Sequence, residues 1–576
     1  MQYFNCPVSP IAILRTAIFL LLFLVLGISI SSFASEGPTA DENQYSIIVE
    51  KDVRIPLSDG SYLMADIFRP DSDVEFPIIM SMGIYQKDLD YLPHGANPYG
   101  HRETENPNWW VPKGYVQIRV DSRGTGKSPG KAKIFGQQES LDYYEAIEWA
   151  AAQPWSNGSV GLSGVSYYAV NQWIVASLQP PSLKASIPWE GFSDFYRDAV
   201  FRGGIFNQSL LGRWVNHVRG RQLLEHTRTS NTQGLEDHLS WEAMVNNLDD
   251  DYWSQVRGKT DFDKIKIPVY SVANWDGWNL HLRGNLEGYN RVASENKRLR
   301  IHVGGHTEAF YTEEGQRDRL QFFDHWLKGK DNGLQDEPPV KMFIRADKKK
   351  QVDPFTSKTA GVWRTENEWP IARTEYRKLY LSESTANATD RSLNDGSLKS
   401  KSDRKQQDRE IDAGVHTWAR KMAHQPVLTY ITPPFEETTE ITGHIKLKLW
   451  VSSETGDMDV FAKLHKLIDD EGRFFQLTEG SLKVSHRKLD DDLSTDYRPF
   501  HTHDAEQKLA KDEIVPIELE IWPTSMVFQP GERLVLELSP HNIQFYDGVY
   551  NSGTHHIYTG GETASYLQVP IIPAKK

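Results

Sequence analysis

The sequence predicts an α/β domain followed by a second domain of antiparallel β-structure. Over about residues 45–340, apolar runs typical of buried strands alternate with helical patterns, which is the arrangement of a mostly parallel sheet. After Pro338-Pro339, apolar and polar residues alternate one by one, as they do along half-buried strands. We therefore assign residues 45–340 to the first domain and residues 341–576 to the second.

The first domain is predicted from a regular succession of strand and helix patterns. Its strand signals, in chain order, lie at 47–49, 53–56, 63–68, 76–82, 115–120, 160–163, 185–188, 268–273 and 299–303. Asp59-Gly60 indicates a tight hairpin early in this series. Helical spacing appears at 141–152, 168–178 and 320–327. Strand signals stop between Asp194 and Ile265, so we expect a helical insertion at about residues 195–265 that forms a cap over the sheet.

The second domain is predicted from alternation that recurs in several segments. Ile445, Leu447 and Leu449 alternate with polar or amphipathic residues, and the same pattern returns at 517–521 and 534–538. Strands with one buried and one exposed face, repeated in this way, indicate a β-sandwich. Residues 382–415 are polar and poor in apolar side chains, so we expect a long surface loop there.

The first 34 residues have the pattern of a secretory signal peptide. Arg15 precedes an apolar run from Thr16 to Ile30, and Ser32-Phe33-Ala34 offers a small-x-small cleavage site. The run is shorter than the ~20 residues of a membrane-spanning helix, and an uncleaved anchor is the alternative interpretation. Cleavage after Ala34 would remove Cys6, the one cysteine. We therefore expect a periplasmic or extracellular protein without disulfides and without stable membrane insertion.

Charge and short motifs exclude several classes of function. The chain has 64 Lys and Arg against 78 Asp and Glu, a formal net charge of −14, which gives no electrostatic footprint for nucleic acid. The pairs His501/His503 and His555-His556 lack a third ligand at diagnostic spacing, so no metal site is predicted. We expect an activity that needs no cofactor, and the oligomeric state stays open.

A candidate nucleophile lies between a predicted strand and a predicted helix. Gly164-Val165-Ser166 follows the strand at 160–163 and precedes the helix at 168–178. A sharp strand-to-helix turn projects a serine hydroxyl, and small neighbours relieve the crowding. The usual pattern is G-x-S-x-G, and here Tyr168 stands at the fifth position. The strand–turn–helix context therefore carries more weight than the motif itself.

A base and an acid for this serine follow it in the chain. Asp276 comes after the strand at 268–273, and His306 comes after the strand at 299–303. Open α/β sheets place their sites at such carboxyl ends of strands. Alone, Asp276 fits a turn cap and His306 fits a loop histidine. The order Ser166, Asp276, His306 matches the triad order of α/β-hydrolases, so we predict nucleophile, acid and base in that sequence.

Acyl transfer also needs donors for the developing oxyanion. The backbone N–H of Tyr167, directly after the nucleophile, is the first expected donor. The second should come from the loop after an earlier strand, where Tyr85 offers a hydroxyl. A packing tyrosine is the alternative interpretation of Tyr85.

Several longer motifs carry a resemblance to a known family. They are Asp121–Ser128, Glu148-Trp149 with Gln153–Gly158, Gly164–Tyr167 with Asn171–Trp173, Trp275-Asp276-Gly277 and Phe323–Gly329. With these motifs the chain resembles the CocE/NonD hydrolases, which include cocaine esterase and the Xaa-Pro dipeptidyl-peptidases, over about residues 45–570. The resemblance implies an α/β-hydrolase core, a helical cap insertion and a C-terminal jelly-roll β-sandwich. It also places the family's nucleophile, acid, base and oxyanion tyrosine on Ser166, Asp276, His306 and Tyr85.

One residue departs from the family pattern. The family usually has Gly at the third position after the nucleophile, and this chain has Ala169. Because alanine is small, we expect modest crowding and no loss of function.

The resemblance leaves the substrate open. Related hydrolases of α-amino acid esters bind an ammonium group with carboxylates shortly after the triad acid, and Gly277-Trp278-Asn279 offers none. Glu190 and Asp194 are alternative partners for a charged substrate, although a solvated or capping role is the simpler interpretation of each. Trp275 and Trp278 indicate an apolar or aromatic acyl pocket, although such residues more often belong to a core.

Three functional hypotheses follow for this chain. The first is a secreted serine hydrolase that cleaves small acyl esters or amides through an acyl-enzyme. The second, in the same class, is an Xaa-Pro dipeptidyl-peptidase with peptide substrates. The third is an inactive protein that binds a ligand through its β-sandwich.

Overall fold

The computed structural model describes ten segments of the chain, all beyond residue 44. They are residues 45–88, 103–224, 238–277, 280–348, 359–383, 396–403, 405–412, 427–468, 474–542 and 553–573. The predicted signal peptide, residues 1–34, lies outside them. Within these segments no helix combines the length and the apolar composition needed to cross a membrane.

A ten-stranded sheet organises the first part of the molecule. The strands of residues 45–366, in chain order, are β1 (Ile47–Pro56), β2 (Tyr62–Pro70), β3 (Phe76–Gly83), β4 (Val116–Asp121), β5 (Ser156–Val165), β6 (Leu183–Trp189), β7 (Phe201–Arg202), β8 (Ile205–Phe206), β9 (Val269–Asn274), β10 (Lys297–His302), β11 (Val340–Lys348) and β12 (Thr359–Glu366). Ten of them form the sheet in the order β1-β2-β4-β3-β5-β6-β9-β10-β11-β12, and β7 and β8 pair as a separate hairpin. From β4 to β11 neighbours run parallel, which confirms the predicted mostly parallel sheet.

Helices cover both faces of this sheet. The α-helices are α1 (Pro107–Trp110), α2 (Gln137–Ala151), α3 (Tyr167–Ser177), α4 (Gln208–Leu224), α5 (Leu239–Val245), α6 (Asp251–Val256), α7 (Leu282–Arg291), α8 (Glu308–Tyr311) and α9 (Glu313–Lys328). Ile147 of α2 and Trp173 of α3 pack in one apolar layer with Ile78. Phe323 of α9 packs in another layer with Ile79, whose side chain leaves the opposite face of β3. The sheet is therefore the middle of three layers, as helix–sheet–helix folds require.

The segment between β6 and β9 contains the elements where a helical insertion is predicted. A π-helix (Phe195–Val200) and the β7–β8 hairpin come first, and α4, α5 and α6 follow. Leu211 and Trp253 of this segment share one buried apolar cluster with Tyr85, Phe135 and Tyr167 of the sheet domain.

The sheet continues past residue 340, where the sequence places the start of the second domain. Strand β11 pairs in parallel with β10, and β12 pairs antiparallel with β11. The short 3-10 turn Leu334–Asp336 links α9 to β11. These two strands add an edge to the first sheet, and the separate β-structure begins only at residue 375.

The second sheet has eleven strands and closes on itself. They are β13 (Glu375–Ser382), β14 (Gly396–Lys399), β15 (Gln407–Asp412), β16 (Leu428–Ile431), β17 (Thr439–Ser453), β18 (Asp459–Leu467), β19 (Phe474–Lys483), β20 (Val515–Phe528), β21 (Arg533–Ser539), β22 (Thr554–Thr559) and β23 (Tyr566–Ile572). The order runs β15-β22-β17-β20-β19-β18-β21-β16-β14-β13-β23, and β23 also pairs with β17. This closure encloses one large apolar core and fits the predicted β-sandwich domain.

The predicted long loop at 382–415 is wrong in part. Strands β14 and β15 lie within that range and pair with β13, β16 and β22. Their sequences are polar, and pairing with strands distant in the chain fixes them. Such contacts leave no signal in local composition.

Candidate active site

The turn at Ser166 joins β5 to α3 in a strained conformation. Ser166 has φ 60° and ψ −116°, which residues other than glycine rarely adopt. The backbone is held there because Ser166 N donates to Trp189 O at 3.1 Å. A Cβ on Gly164 would lie 2.4 Å from Tyr168 Cβ, so this position has no room for a side chain. Strain of this kind clusters at functional sites, and the predicted nucleophile has the expected geometry.

The departure at Ala169 is accommodated by a neighbouring glycine. Ala169 is fully buried in α3. A Cβ built on Gly191 would lie 2.5 Å from Ala169 Cβ, so the absence of a side chain at residue 191 makes the room that alanine needs. The crowding expected from the sequence is thus relieved on the facing backbone.

Ser166 opens into a cavity of about 400 Å³. The sequence-predicted residues Tyr85, Ser166, Tyr167, Glu190, Asp276 and His306 line it together. The apolar part of the lining is Phe135, Phe192, Phe195, Ala199, Leu210, Leu211, Trp214 and Leu280. Parts of the chain far apart in sequence therefore form one pocket with a polar floor and an apolar wall.

The histidine predicted as the base contacts a carboxylate in this cavity. His306 Nδ1 lies 2.8 Å from Glu190 Oε2, and His302 Nε2 lies 3.1 Å from Glu190 Oε1. Glu190 is buried directly after β6, with φ 44°. Burial alone would raise the pKa of Glu190, but the charge and contacts of His306 and His302 outweigh it and lower the pKa to about 2. Glu190 is therefore ionised at neutral pH.

The carboxylate predicted as the acid has other partners in the structure. Asp276 Oδ1 lies 3.0 Å from Arg345 Nη1, and Asp276 Oδ2 accepts from Gly304 N at 2.9 Å. Asp276 N donates to Asn274 Oδ1 at 2.9 Å. Asp276 thus lies in the predicted cavity, while the described carboxylate contact of His306 Nδ1 belongs to Glu190. The acid role of Asp276 stays a prediction.

A second histidine, which the sequence analysis missed, contacts the predicted nucleophile. His281 Nε2 lies 3.4 Å from Ser166 Oγ, and His281 Nδ1 accepts from Phe192 N at 3.3 Å. Burial and the nearby charge of His306 lower the pKa of His281 to about 3, so its ring is neutral. With Nδ1 accepting, the neutral ring carries its proton on Nε2 and donates to Ser166 Oγ. No motif marks a histidine five residues after the predicted acid.

His281 and His306 lie face to face. Their ring centroids are 5.0 Å apart and the ring planes differ by 5°. His306 Nδ1 faces Glu190, so its proton belongs on Nδ1 and Nε2 keeps a lone pair. His306 therefore has the tautomer of a base, and His281 has the tautomer of a donor.

The predicted oxyanion residues are held by contacts on both sides of the cavity. Tyr85 Oη accepts from Trp214 Nε1 at 2.9 Å, and the Tyr85 and Tyr167 rings pack edge to face at 5.8 Å. Tyr167 Oη lies 2.8 Å from both oxygens of Glu139. Burial raises the pKa of Glu139 to about 7 against the hydrogen bonds it accepts. The Tyr167 backbone N–H belongs to the first turn of α3, where N–H groups lack partners within the helix.

Two of the predicted substrate-binding residues serve other purposes. Trp275 is fully buried, and its Nε1 donates to Phe343 O at 2.9 Å, so it belongs to the core under β11. Asp194 accepts from Arg197 N at 3.0 Å and caps the π-helix. Both assignments to the substrate site are wrong, because each side chain is committed to packing or capping. Trp278 lies outside the described residues.

These features together define a serine hydrolase. A serine at a strained strand–helix turn, a histidine oriented by a carboxylate and an apolar cavity are the parts that covalent acyl transfer uses.

Comparison with known proteins identifies the family. The family model described as X-Pro dipeptidyl-peptidase (S15 family) matches residues 59–308, and that of the X-Pro dipeptidyl-peptidase C-terminal non-catalytic domain matches residues 332–568. A CocE/NonD family hydrolase from Staphylococcus aureus is 34% identical, with a TM-score of 0.80 over 92% of this chain and 94% of that one. The chain belongs to the CocE/NonD hydrolase family.

More distant relatives agree with this assignment. The cocaine esterase of Rhodococcus sp. is 24% identical over 91% of this chain and 98% of its own length. An aminopeptidase from a marine sediment archaeon of the Thaumarchaeota has the same fold, with a TM-score of 0.69, 17% identity and coverage of 93% and 98%. Named relatives thus include an esterase and a peptidase, and the fold alone does not choose between them.

Proposed function

We propose that this protein is an exported serine hydrolase that cleaves acyl esters or amides with an apolar acyl group. One observation carries the proposal: Ser166, at a positive-φ turn between β5 and α3, opens into a cavity with a largely apolar wall. A serine at such a turn is exposed to an incoming carbonyl, and an apolar wall favours an apolar acyl chain.

The reaction runs through an acyl-enzyme. Ser166 Oγ attacks the substrate carbonyl carbon while its proton moves to His306 Nε2. The tetrahedral oxyanion accepts from the Tyr167 N–H and the Tyr85 hydroxyl. The bond to the leaving alcohol or amine then breaks, and His306 returns the proton to it. Water, deprotonated in turn by His306, attacks the acyl-enzyme, releases the carboxylic acid and restores Ser166.

The helical segment between β6 and β9 acts as a cap on the acyl side. Phe195 and Ala199 from its π-helix and Leu210, Leu211 and Trp214 from α4 line the cavity. The Trp214 indole also donates to the predicted oxyanion tyrosine, Tyr85. Closing the acyl pocket from this side would exclude water and strengthen the polar contacts at the carbonyl.

The assignment of the nucleophile is tested by Ser166→Ala. Hydrolysis of a p-nitrophenyl ester should fall at least 10³-fold, to the residual rate left by binding and the oxyanion hole. A fluorophosphonate probe should label the wild type at Ser166 and leave the variant unlabelled. Full activity in the variant would contradict the proposal, and an unlabelled wild type would favour an inactive binding protein.

Xaa-Pro dipeptidyl-peptidase activity is the second candidate, because both family models carry that description. Such a substrate presents an ammonium group, and the two carboxylates beside His306, Glu190 and Asp276, already have partners in His306 and Arg345. This commitment favours the esterase. A side-by-side assay with a p-nitrophenyl ester and an Ala-Pro-anilide at matched concentration distinguishes them, since faster anilide turnover would select the peptidase.

Export is proposed from the first 34 residues. The basic Arg15, the apolar run and the Ala34 cleavage site have the order that signal peptidase substrates share. Mass spectrometry of the mature protein from an expressing cell should find an N-terminus at Ser35 and no cysteine. A full-length product that sediments with membranes would indicate an anchor instead.

A further inference from the structure

We propose that Glu190 is the positioning residue that orients His306 for catalysis, and that Asp276 instead ties the site to the β-domain through Arg345. This inference rests on the proposed function of Ser166 and His306. It assigns the acid role to a carboxylate at the end of β6, whereas the chain order of the triad predicts Asp276.

Glu190 is built into the site by contacts along its whole length. Its backbone N donates to Val272 O at 2.7 Å, which fixes the residue between β6 and β9. Its Oε1 accepts from Asn274 Nδ2 at 3.2 Å and faces His302, and its Oε2 faces His306 Nδ1 at 2.8 Å. A side chain held at both ends can fix the ring that it contacts, which is what the acid of a triad does.

The backbone at Glu190 supports a functional role. Its φ of 44° is unusual for a residue with a long side chain, and Ser166 on the neighbouring strand end has φ 60°. The Ser166 N–H donates to the carbonyl of Trp189, directly before Glu190. This hydrogen bond links the two positive-φ residues, so Ser166 and the carboxylate that contacts His306 belong to one local structure.

Asp276 forms an ion pair with the buried Arg345. Arg345 is fully buried and donates through Nε to Ser525 O at 2.8 Å and through Nη2 to Thr524 Oγ1 at 2.5 Å, both in β20 of the β-domain. Its remaining charge meets Asp276 Oδ1 at 3.0 Å. A buried guanidinium needs a carboxylate, and removal of either partner would leave the other charge uncompensated. Asp276 thus has a structural function that occupies its charge.

Titratable groups described around His306 come from four elements. Glu190 after β6 and His281 before α7 contact its ring, Asp276 after β9 lines the same cavity, and His302 at the end of β10 contacts Glu190. His281 is neutral and the charge of Asp276 is paired with Arg345. Glu190 therefore supplies the negative charge that stabilises the imidazolium formed when Ser166 attacks.

The test compares Glu190→Gln with Asp276→Asn on the full-length protein. Both changes remove one negative charge and keep the shape of the side chain. Glu190→Gln should lower kcat for a p-nitrophenyl ester about 10²- to 10⁴-fold. Without the carboxylate, the acidic limb of the kcat/KM profile should move at least about one pH unit toward acid. A residue that only supported the fold would change the rate and leave that limb in place.

Asp276→Asn should behave in the opposite way. Its acidic limb should stay in place, its kcat should fall less than that of Glu190→Gln, and its melting temperature should drop because Arg345 loses its carboxylate. This arm remains informative if Glu190→Gln does not fold. The inference would be overturned if the acidic limb of the kcat/KM profile moves in Asp276→Asn, or if it fails to move in Glu190→Gln.

Two further measurements separate this inference from the proposed function. Glu190→Ala should recover part of its lost activity when formate or acetate is added, because a free carboxylate can occupy the vacated space. Ser166→Ala should recover nothing under the same conditions. If Ser166→Ala is inactive and the Asp276 variant alone moves the limb, the hydrolase assignment stands and Glu190 is not its acid. If Ser166→Ala is active, both fail.

Discussion

Two groups of histidines in this molecule have opposite surroundings. In the catalytic cavity, Glu190 lies between His302 and His306 within 3.1 Å of each ring. In the β-domain, His486, His501 and His503 form a second group, which we call the neutral histidine cluster. There His486 Nδ1 lies 3.2 Å from His503 Nδ1, and Glu506 Oε1 is 3.8 Å from His486 Nε2, beyond hydrogen-bond distance.

This difference shows that the surroundings decide what a buried histidine can do. Burial lowers the pKa of His486 to about 4 and that of His501 to about 3, and Arg197 also disfavours a charge on His501. The neutral histidine cluster therefore acts as a packed, uncharged part of the core. Beside Glu190, an imidazolium is stabilised, so a proton can be taken up and returned.

The largest effect that would separate the two regions is on activity. His306→Gln removes the proposed base and should lower kcat about 10²- to 10⁴-fold. The melting temperature should change little, because the replaced ring is 39% exposed and a glutamine amide can still donate to Glu190. His486→Gln, in the neutral histidine cluster, should do the reverse: it should lower the melting temperature and leave ester hydrolysis within about threefold. Steady-state kinetics and thermal unfolding of both variants check the contrast.

Equal losses of activity in these two variants would break the comparison. A loss in His486→Gln at temperatures where the variant is fully folded would mean that the β-domain contributes to the chemistry. An active His306→Gln would move the base to His281, whose Nε2 already lies 3.4 Å from Ser166 Oγ.

The sequence predicted the frame of this site and the strand–helix turn at which Ser166, the predicted nucleophile, lies. The alternation of strand and helix patterns and the strand–turn–helix context of Ser166 are local features, and local features survive in a single sequence. The identity of the carboxylate that contacts His306 is not a local feature of the sequence. Glu190 and His306 are 116 residues apart, and both Glu190 and Asp276 follow a strand of the same sheet. Only the packing of β6 against β9 shows which carboxylate faces the ring.

Other errors have the same origin. Trp275 was predicted in the substrate pocket as an aromatic side chain for an apolar acyl group, but its indole donates to Phe343 O under β11. His281 was missed because its place in the site depends on two contacts, with Ser166 and Phe192, and no sequence motif or residue spacing indicates them. Residue type indicates which chemistry is available, and the tertiary fold decides which atoms meet.

Acid should destabilise the folded protein through its buried neutral histidines. The pKa values of His281 and His501 are lowered to about 3 and that of His486 to about 4, so the unfolded chain takes up these protons first. Their contribution to stability is complete above about pH 6.5 and is lost as pH falls toward 3–4. Each fully coupled histidine adds at most about 1.4 kcal/mol per pH unit. Urea unfolding should therefore show a free energy of unfolding several kcal/mol lower at pH 5 than at pH 7.

The buried carboxylate in the cavity, Glu190, should respond in a different pH window. Glu190 has a pKa of about 2 in the folded protein, so its contribution is present above about pH 4.5 and is lost between there and pH 2. His501→Asn should flatten the slope between pH 6.5 and 5, whereas Glu190→Gln should not flatten it, because loss of the carboxylate disfavours protonation of His306 in the folded protein. An unchanged slope in His501→Asn would show that the cluster is protonated in the folded state.

The smallest effect tests whether the neutral histidine cluster is neutral. Glu506 is the carboxylate 3.8 Å from His486 Nε2; its side chain is 33% exposed and also lies 3.1 Å from Lys508 Nζ. If His486 is uncharged, Glu506→Gln removes only a screened surface charge, and the free energy of unfolding at pH 7 should change by about 0–1 kcal/mol. If His486 were protonated and paired with Glu506, the same change would strand a buried imidazolium and cost about 3–5 kcal/mol. A loss of that size would mean that a carboxylate stabilises a charged histidine in both regions, and Glu190 would no longer distinguish the cavity from the cluster.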